Sequence, residues 1–183
     1  MTFDLSHINH DWTLFLDRDG VINVEKNEDY IRKWEEFEFY PESLLALPLL
    51  AKKFPRIIIT TNQKGVGKGL MSEDDLKDIH TNMVQQIELV NGRIDHIYYC
   101  TDLDNDSPNR KPQAGMAFQA EKQFPQIQLN KSIIVGNRMS DMEFGRNAGM
   151  HTVFLATTHP ETTFPDTKID YRFDNLFQFA KAL

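Results

Sequence analysis

Five short apolar runs, separated by stretches with helical spacing, constrain this chain more than any other feature. They are Thr13 to Leu16, Arg56 to Thr60, Ile94 to Tyr99, Ser132 to Val135 and Thr152 to Leu155. Near-continuous apolar runs of this length suit strands buried on both faces of a parallel sheet. Between them, residues 41–54 open on Pro41 and carry a leucine-rich face, with Pro48 expected to bend or shorten that helix. Residues 72–92 open on Ser72 as N-cap with Asp75 three positions on. They space Leu76, Ile79, Met83, Ile87 and Val90 along one face, and Gly92 ends the pattern. Further helices are expected over 113–124, 139–149 and 174–183.

Alternation of this kind predicts an α/β fold: a doubly wound, mainly parallel sheet with helices on both faces. The 183 residues suit one domain spanning 1–183. In such sheets ligands bind beyond the carboxyl ends of the strands. The residues that follow each run are therefore the ones that carry functional information.

After the first run come Asp17 and Asp19, then Gly20. Extended backbone has period two, so both carboxylates can point to one side. Two such charges are costly without a counter-charge, and a divalent cation is the usual remedy. A solvated pair at a strand end is the plain alternative. After the second run come Thr61, Asn62 and Gln63, then a glycine-rich stretch with Lys64 and Lys68. A hydroxyl, an amide and flexible backbone suit a phosphate oxygen, though a polar loop reads the same way. A nucleotide P-loop is excluded, because Gly67-Lys68 is followed by Gly69 and not by Ser or Thr. After the third run, Arg110 and Lys111 stand before Pro112, which offers a point charge at a fixed place or an ordinary surface lysine. After the fourth come Gly136, Asn137 and Asp141. Asp141 could equally serve as a favourable charge at a helix start. Singly these signals are weak. Four strands delivering a carboxylate pair, a hydroxyl, a cation and metal-ligand types to one edge meet the needs of phosphoryl transfer through a carboxylate.

With "DRDGVIN", "TNQ", "RKP" and "GNRMSD" as four ordered motifs, the chain resembles the haloacid dehalogenase-like (HAD) phosphohydrolases. Within them it is most similar to the branch of histidinol-phosphate and heptose-bisphosphate phosphatases. The stretches "DYIRKWEEFEFYPE" and "NQKGVGKGLMSEDDL" favour the heptose side. The resemblance covers roughly Thr13 to Leu155 and implies a Rossmannoid domain without a large cap. It implies Asp17 as nucleophile, forming an aspartyl-phosphate. Asp19 would protonate the leaving alkoxide and then activate water. Thr61 and Asn62 would hold phosphoryl oxygens, Lys111 would balance charge and Arg110 would hold substrate. Mg²⁺ would be bound by Asp17, the Asp19 carbonyl, Asn137 and Asp141. Acid-base help from Asp19 is worth roughly 10²–10⁴-fold if its pKa sits near working pH.

Two departures matter. Asn137 stands where the family has aspartate, so the amide oxygen is expected to remain a ligand at the cost of weaker metal binding. Relatives carry a zinc loop of three cysteines and a histidine before the third motif. Here that segment holds only Cys100, too few ligands for the four a structural site wants, so no zinc is expected. The nearby Asp102, Asp104 and Asp106 read as a solvated acidic turn.

The expected activity is therefore Mg²⁺-dependent hydrolysis of a small phosphorylated metabolite, most plausibly a heptose-1,7-bisphosphate-like sugar phosphate. Lys64, Lys68, Arg110 and Arg138 stand by for a second phosphate. Histidinol phosphate, its amine met by the acidic turn, is the alternative substrate. A catalytically silent phospholigand-binding protein is the alternative class. Net charge of −7 argues against nucleic acid or an anionic membrane as partner. A single cysteine, no basic-then-apolar start and no apolar run near the roughly 20 residues of a membrane span point to a cytoplasmic protein. No apolar stripe outside the core pattern asks for a partner, so a monomer is expected. The scattered histidines, His80 among them, read as surface or core-edge residues.

Overall fold

A computed structural model describes residues 3–183. Its strands are β1 (Thr13–Leu16), β2 (Arg56–Asn62), β3 (His96–Cys100), β4 (Ser132–Gly136), β5 (His151–Leu155) and β6 (Tyr171–Phe173). They form one sheet in the order β3-β2-β1-β4-β5-β6, with every neighbouring pair parallel. The helices are α1 (Pro41–Lys53), α2 (Lys64–Gly67), α3 (Glu73–Leu89), α4 (Gly115–Gln123), α5 (Met139–Ala148) and α6 (Leu176–Lys181).

Period two along the strands divides the core into two layers. Leu14 and Leu16 of β1 join Leu47 and Leu50 of α1, Met83 and Ile87 of α3 and Phe179 of α6. Phe15 joins Met116, Ala117 and Ala120 of α4 and Phe144 of α5 on the opposite face. Burial on both sides is why these runs are nearly all apolar, with small hydroxyl residues such as Thr13, Thr60, Ser132 and Thr152 as the buried polar exceptions. Each fully buried Leu, Ile or Phe side chain contributes roughly 1.5–3 kcal/mol.

Several boundaries differ from the sequence expectation, each for a local reason. Pro48 lies inside α1, which continues to Lys53. The proline removes one helical hydrogen bond, and burial of Leu47 and Leu50 around it outweighs that loss. α3 opens on the expected box, Ser72 N–H donating to Asp75 Oδ2 at 2.7 Å and Asp75 N–H to Ser72 Oγ at 3.1 Å. It ends at Leu89, and the left-handed residue beyond it is Asn91 (φ 61), not Gly92. β3 begins at His96, not Ile94, because the Asp95 side chain accepts the Ile57 N–H at 2.7 Å where the ladder would otherwise continue. β6 was not signalled at all: it is three half-buried residues completing the edge beside β5.

β1 sits between β2 and β4, so the chain winds one way through β2 and β3 and the other way through β4, β5 and β6. The crevice at such a reversal, beyond the strand C-termini, is where this architecture places ligands. Between β1 and α1 there is only a 3₁₀ turn, Trp34–Glu36, and between β2 and α3 only α2. Neither connection holds a large cap. Among the described residues no helix is long and apolar enough to cross a membrane.

Candidate active site

Three strand ends deliver one buried charge cluster. Asp17 follows β1, Asp141 lies in the first turn of α5 after β4, and Lys111 comes from the loop after β3. Lys111 Nζ is 2.9 Å from Asp17 Oδ1 and 2.7 Å from Asp141 Oδ1, and it donates to the Thr60 carbonyl at 2.8 Å. Its three protons thus have three acceptors. Burial opposes the ammonium, but Asp141 and Asp17 outweigh it and raise the Lys111 pKa. Burial pushes the Asp17 carboxyl up to about 7; Lys111 offsets this only in part, and Asp141 adds to it. Asp141 also accepts the Arg138 N–H at 3.0 Å, so it is a helix cap and a charge partner at once. Gly136 has no room for a side chain, since a Cβ there would overlap the Asp141 carboxyl.

Asp19 shares the cluster and behaves oppositely. Burial would raise its pKa, but the Arg18 charge and hydrogen bonds from Arg18, Asn23 and Gln63 outweigh it and hold the carboxyl below its usual range. The sequence reading asks for a proton on Asp19 near working pH; in the ligand-free site its donors keep it ionised. Gln63 Nε2 lies 3.0 Å from Asp19 Oδ2 and 2.9 Å from Thr61 Oγ1, tying the first two motifs together. Asn62, expected on a phosphoryl oxygen, has both ends of its amide on the Lys111 backbone: Nδ2 to the carbonyl and Oδ1 from the N–H, each at 3.1 Å. Its side chain therefore holds Lys111 in place.

These groups line a cavity of about 470 Å³, together with Arg110, Lys64, Arg138 and a wall from Glu25 to Ile31. Lys68, expected at the mouth, instead lies over the Tyr30 ring, 5.1 Å from its centroid. Of the acidic turn only Asn105 reaches the cavity. Asp102, which accepts from the Ser107 hydroxyl, does not line the cavity, nor do Asp104 and Asp106, so this turn brings no carboxylate there to seat an amine. Glu25 and Gln63 went unassigned in the sequence. Gln63 was signalled by its place in "TNQ". Glu25 carried no signal, since it meets Asn137 and Arg138 only through the fold.

A family model described as polynucleotide kinase 3 phosphatase matches residues 9–174, nine-tenths of the chain. The chain belongs to this family of HAD-like phosphatases. A relative from Mycobacterium bovis, named D-glycero-alpha-D-manno-heptose-1,7-bisphosphate 7-phosphatase, is 35% identical over 175 residues, covering 95% of this chain and 92% of its own. A Campylobacter jejuni protein of the same name is 38% identical, covering 78% and 80%. Among solved structures, the D,D-heptose 1,7-bisphosphate phosphatase of B. bronchiseptica, complexed with magnesium and phosphate, superposes with a TM-score of 0.83 at 24% identity, covering 92% and 96%. That likeness bears on the fold of this HAD-like phosphatase.

The site's own donors fit a hard divalent cation. The ion-pair partners of Asp17, Asp19 and Asp141 among the described residues are Lys111 and Arg18, three carboxylates against two cations. The Asn137 amide donates through Nδ2 to Thr158 Oγ1 at 2.6 Å and Glu25 Oε2 at 3.2 Å. That fixes its orientation and leaves Oδ1 buried without any donor. A buried carbonyl oxygen without a donor is a cation-seeking group, although Asn137 itself does not line the cavity. Among the described residues no three His, Cys, Asp or Glu side chains form a ready cage. Mg²⁺ takes one or two carboxylates and fills its shell with water and phosphate oxygens.

Proposed function

We propose that this HAD-like phosphatase hydrolyses a small sugar phosphate through an aspartyl-phosphate on Asp17, with a heptose 1,7-bisphosphate as its substrate. The observation that carries this is the meeting of Asp17, Lys111 and Asp141 from three strand ends beside Thr61 and Asp19. Substrate class follows the relatives' names and the cations that line the cavity, Lys64, Arg110 and the Glu25-paired Arg138, which offer a second phosphate a seat. Net charge of −7 keeps polynucleotides out, and a lone buried cysteine suits the cytoplasm. We read residues 1–183 as one catalytic domain acting as a monomer.

In this mechanism Asp17 attacks phosphorus while Thr61 and neighbouring backbone orient the phosphoryl oxygens. Arrival of a dianionic phosphate beside Asp19 opposes its ionisation and favours the proton it must give to the departing alkoxide. Asp19 then takes a proton from the water that cleaves the aspartyl-phosphate. Lys111 keeps Asp17 and Asp141 together throughout. Asp17, the Asp19 carbonyl, Asp141 and Asn137 would hold Mg²⁺, which would supply neutralisation of the charge on the transferred group.

The test is phosphate release, with metal titration, from heptose 1,7-bisphosphate, histidinol phosphate and an aryl phosphate. The heptose substrate is expected to show the highest kcat/KM. Preference for histidinol phosphate would move the substrate assignment. Retained ligand binding without any turnover would favour a silent binding protein, the reading that Asn137 keeps alive.

Asn137 yields its own prediction. Aspartate there should tighten Mg²⁺ binding, but it would face Glu25 where the amide now donates. Asn137→Asp combined with Glu25→Gln is expected to bind Mg²⁺ about tenfold more tightly than wild type by titration calorimetry. Asn137→Asp alone is expected to gain less. Equal gains would show that the Glu25 contact has no bearing on the metal.

A further inference from the structure

The largest fully buried side chain among the described residues is charged. Arg18, between the two motif aspartates, is 1% exposed. Its Nη2 lies 2.8 Å and its Nε 3.3 Å from Asp19 Oδ1, and its Nη1 lies 3.2 Å from Nε2 of His80 on α3. A guanidinium only donates, so His80 Nε2 must accept and its proton must sit on Nδ1. Burial pushes His80 down to about 3, with Arg18 adding to the effect, so the ring is neutral and available as an acceptor. The two Asp19 oxygens are thereby made unequal. Oδ1 receives both Arg18 bonds and Asn23 Nδ2 at 3.0 Å, while Oδ2 receives only Gln63 Nε2 at 3.0 Å.

We propose that His80 and Arg18 are positioning residues that lock Oδ1 of Asp19, so that Oδ2 is the oxygen that exchanges the proton with the leaving group. This rests on the assignment of Asp19 as acid-base group given above. His80 touches no reacting atom. It reaches the chemistry through Arg18, from a helix packed beneath the sheet. Without an acceptor at position 80 the guanidinium loses one of its two anchors, and Asp19 gains freedom to rotate.

Leaving groups separate this from a merely structural role. An alkoxide departing from a sugar needs a proton; an aryl oxide such as p-nitrophenolate needs far less. His80→Leu is expected to lower kcat on the sugar phosphate about tenfold or more with KM within about threefold. The phosphorylation step on p-nitrophenyl phosphate, read as the rate of the p-nitrophenolate burst, is expected to stay within about threefold. His80→Gln, whose Oε1 can accept from Arg18, is expected to restore the sugar-phosphate rate. His80 also lines a second cavity with Thr81, Val84, Gln85 and Tyr99, so a changed side chain has space to settle. Should the leucine variant fail to melt cooperatively, His80→Ala repeats the comparison. Equal losses on both substrates, no loss on either, or no rescue by glutamine would overturn the proposal. Wild-type turnover of p-nitrophenyl phosphate, measured alongside, reads the phosphatase assignment separately. An inactive wild type would remove that assignment and this proposal together, whereas an active wild type with indifferent His80 variants removes this proposal alone.

Discussion

Asp17→Asn is expected to abolish turnover while making the metal-free protein more stable at pH 8. The first effect is loss of the nucleophile, a fall of at least about a thousandfold in kcat. The second follows from the charge cluster. The folded pKa of Asp17, about 7, lies above the ordinary carboxylate value. Its contribution to stability is therefore fully present below about pH 4 and is lost as pH rises through 7. Asparagine never ionises, so the variant escapes that loss. The difference is of order a few kcal/mol, or several degrees in Tm for a chain of this size. Thermal melts in chelator at pH 5 and pH 8 measure it: the variant's advantage should appear at pH 8 and shrink at pH 5. A wild type and variant that respond alike to pH would show that Asp17 is not ionised against its surroundings.

Lys111→Met carries the second large effect, in the opposite direction. It leaves Asp17 and Asp141 buried together with no ammonium between them, a loss of roughly 3–5 kcal/mol. Activity should vanish with it. Adding Asp17→Asn to Lys111→Met removes one of the stranded carboxylates and is expected to recover a large part of the lost stability. The double-mutant cycle reads this coupling directly, and additive losses would contradict the shared cluster. Lys111→Arg is not expected to substitute. A planar fork cannot reproduce three acceptors arranged about one nitrogen: Asp17, Asp141 and the Thr60 carbonyl.

The sheet was legible because its central strands are buried on both sides, and two-sided burial leaves an unbroken apolar record in β1, β2 and β4. β6 left none, since an edge strand of three half-buried residues is held by pairing alone. The candidate site was legible around the strand ends: Asp17 and Asp19 just after β1, Thr61 near the end of β2, and Lys111 and Asp141 in the connections after β3 and β4 all line the cavity. Asn62 also lines the cavity, but which atoms its amide meets depends on a loop from elsewhere in the chain. His80 looked like any helical residue, because nothing local says that its ring faces a guanidinium sixty-two positions away. Glu25 was silent for the same reason: Asn137 and Arg138, its partners, are brought by β4. Local pattern reports burial and chain ends. It does not report pairings made only when the sheet closes.

The cavity wall has a consequence for how such a protein changes over time. Five reacting and charge-balancing groups stand on strand tips or the turns just past them, whereas Glu25, Lys26, Glu28, Asp29 and Tyr30 hang from a stretch outside helix and strand. Mutations at Lys26, Glu28, Asp29 and Tyr30 reshape what fits without loosening the hydrolytic parts, whereas Glu25 holds Asn137 and Ile31 is core. Descendants of this scaffold are thus free to trade one cargo for another by rewriting a handful of neighbouring codons, and a library confined to residues 26–30 is the economical place to look for altered appetite.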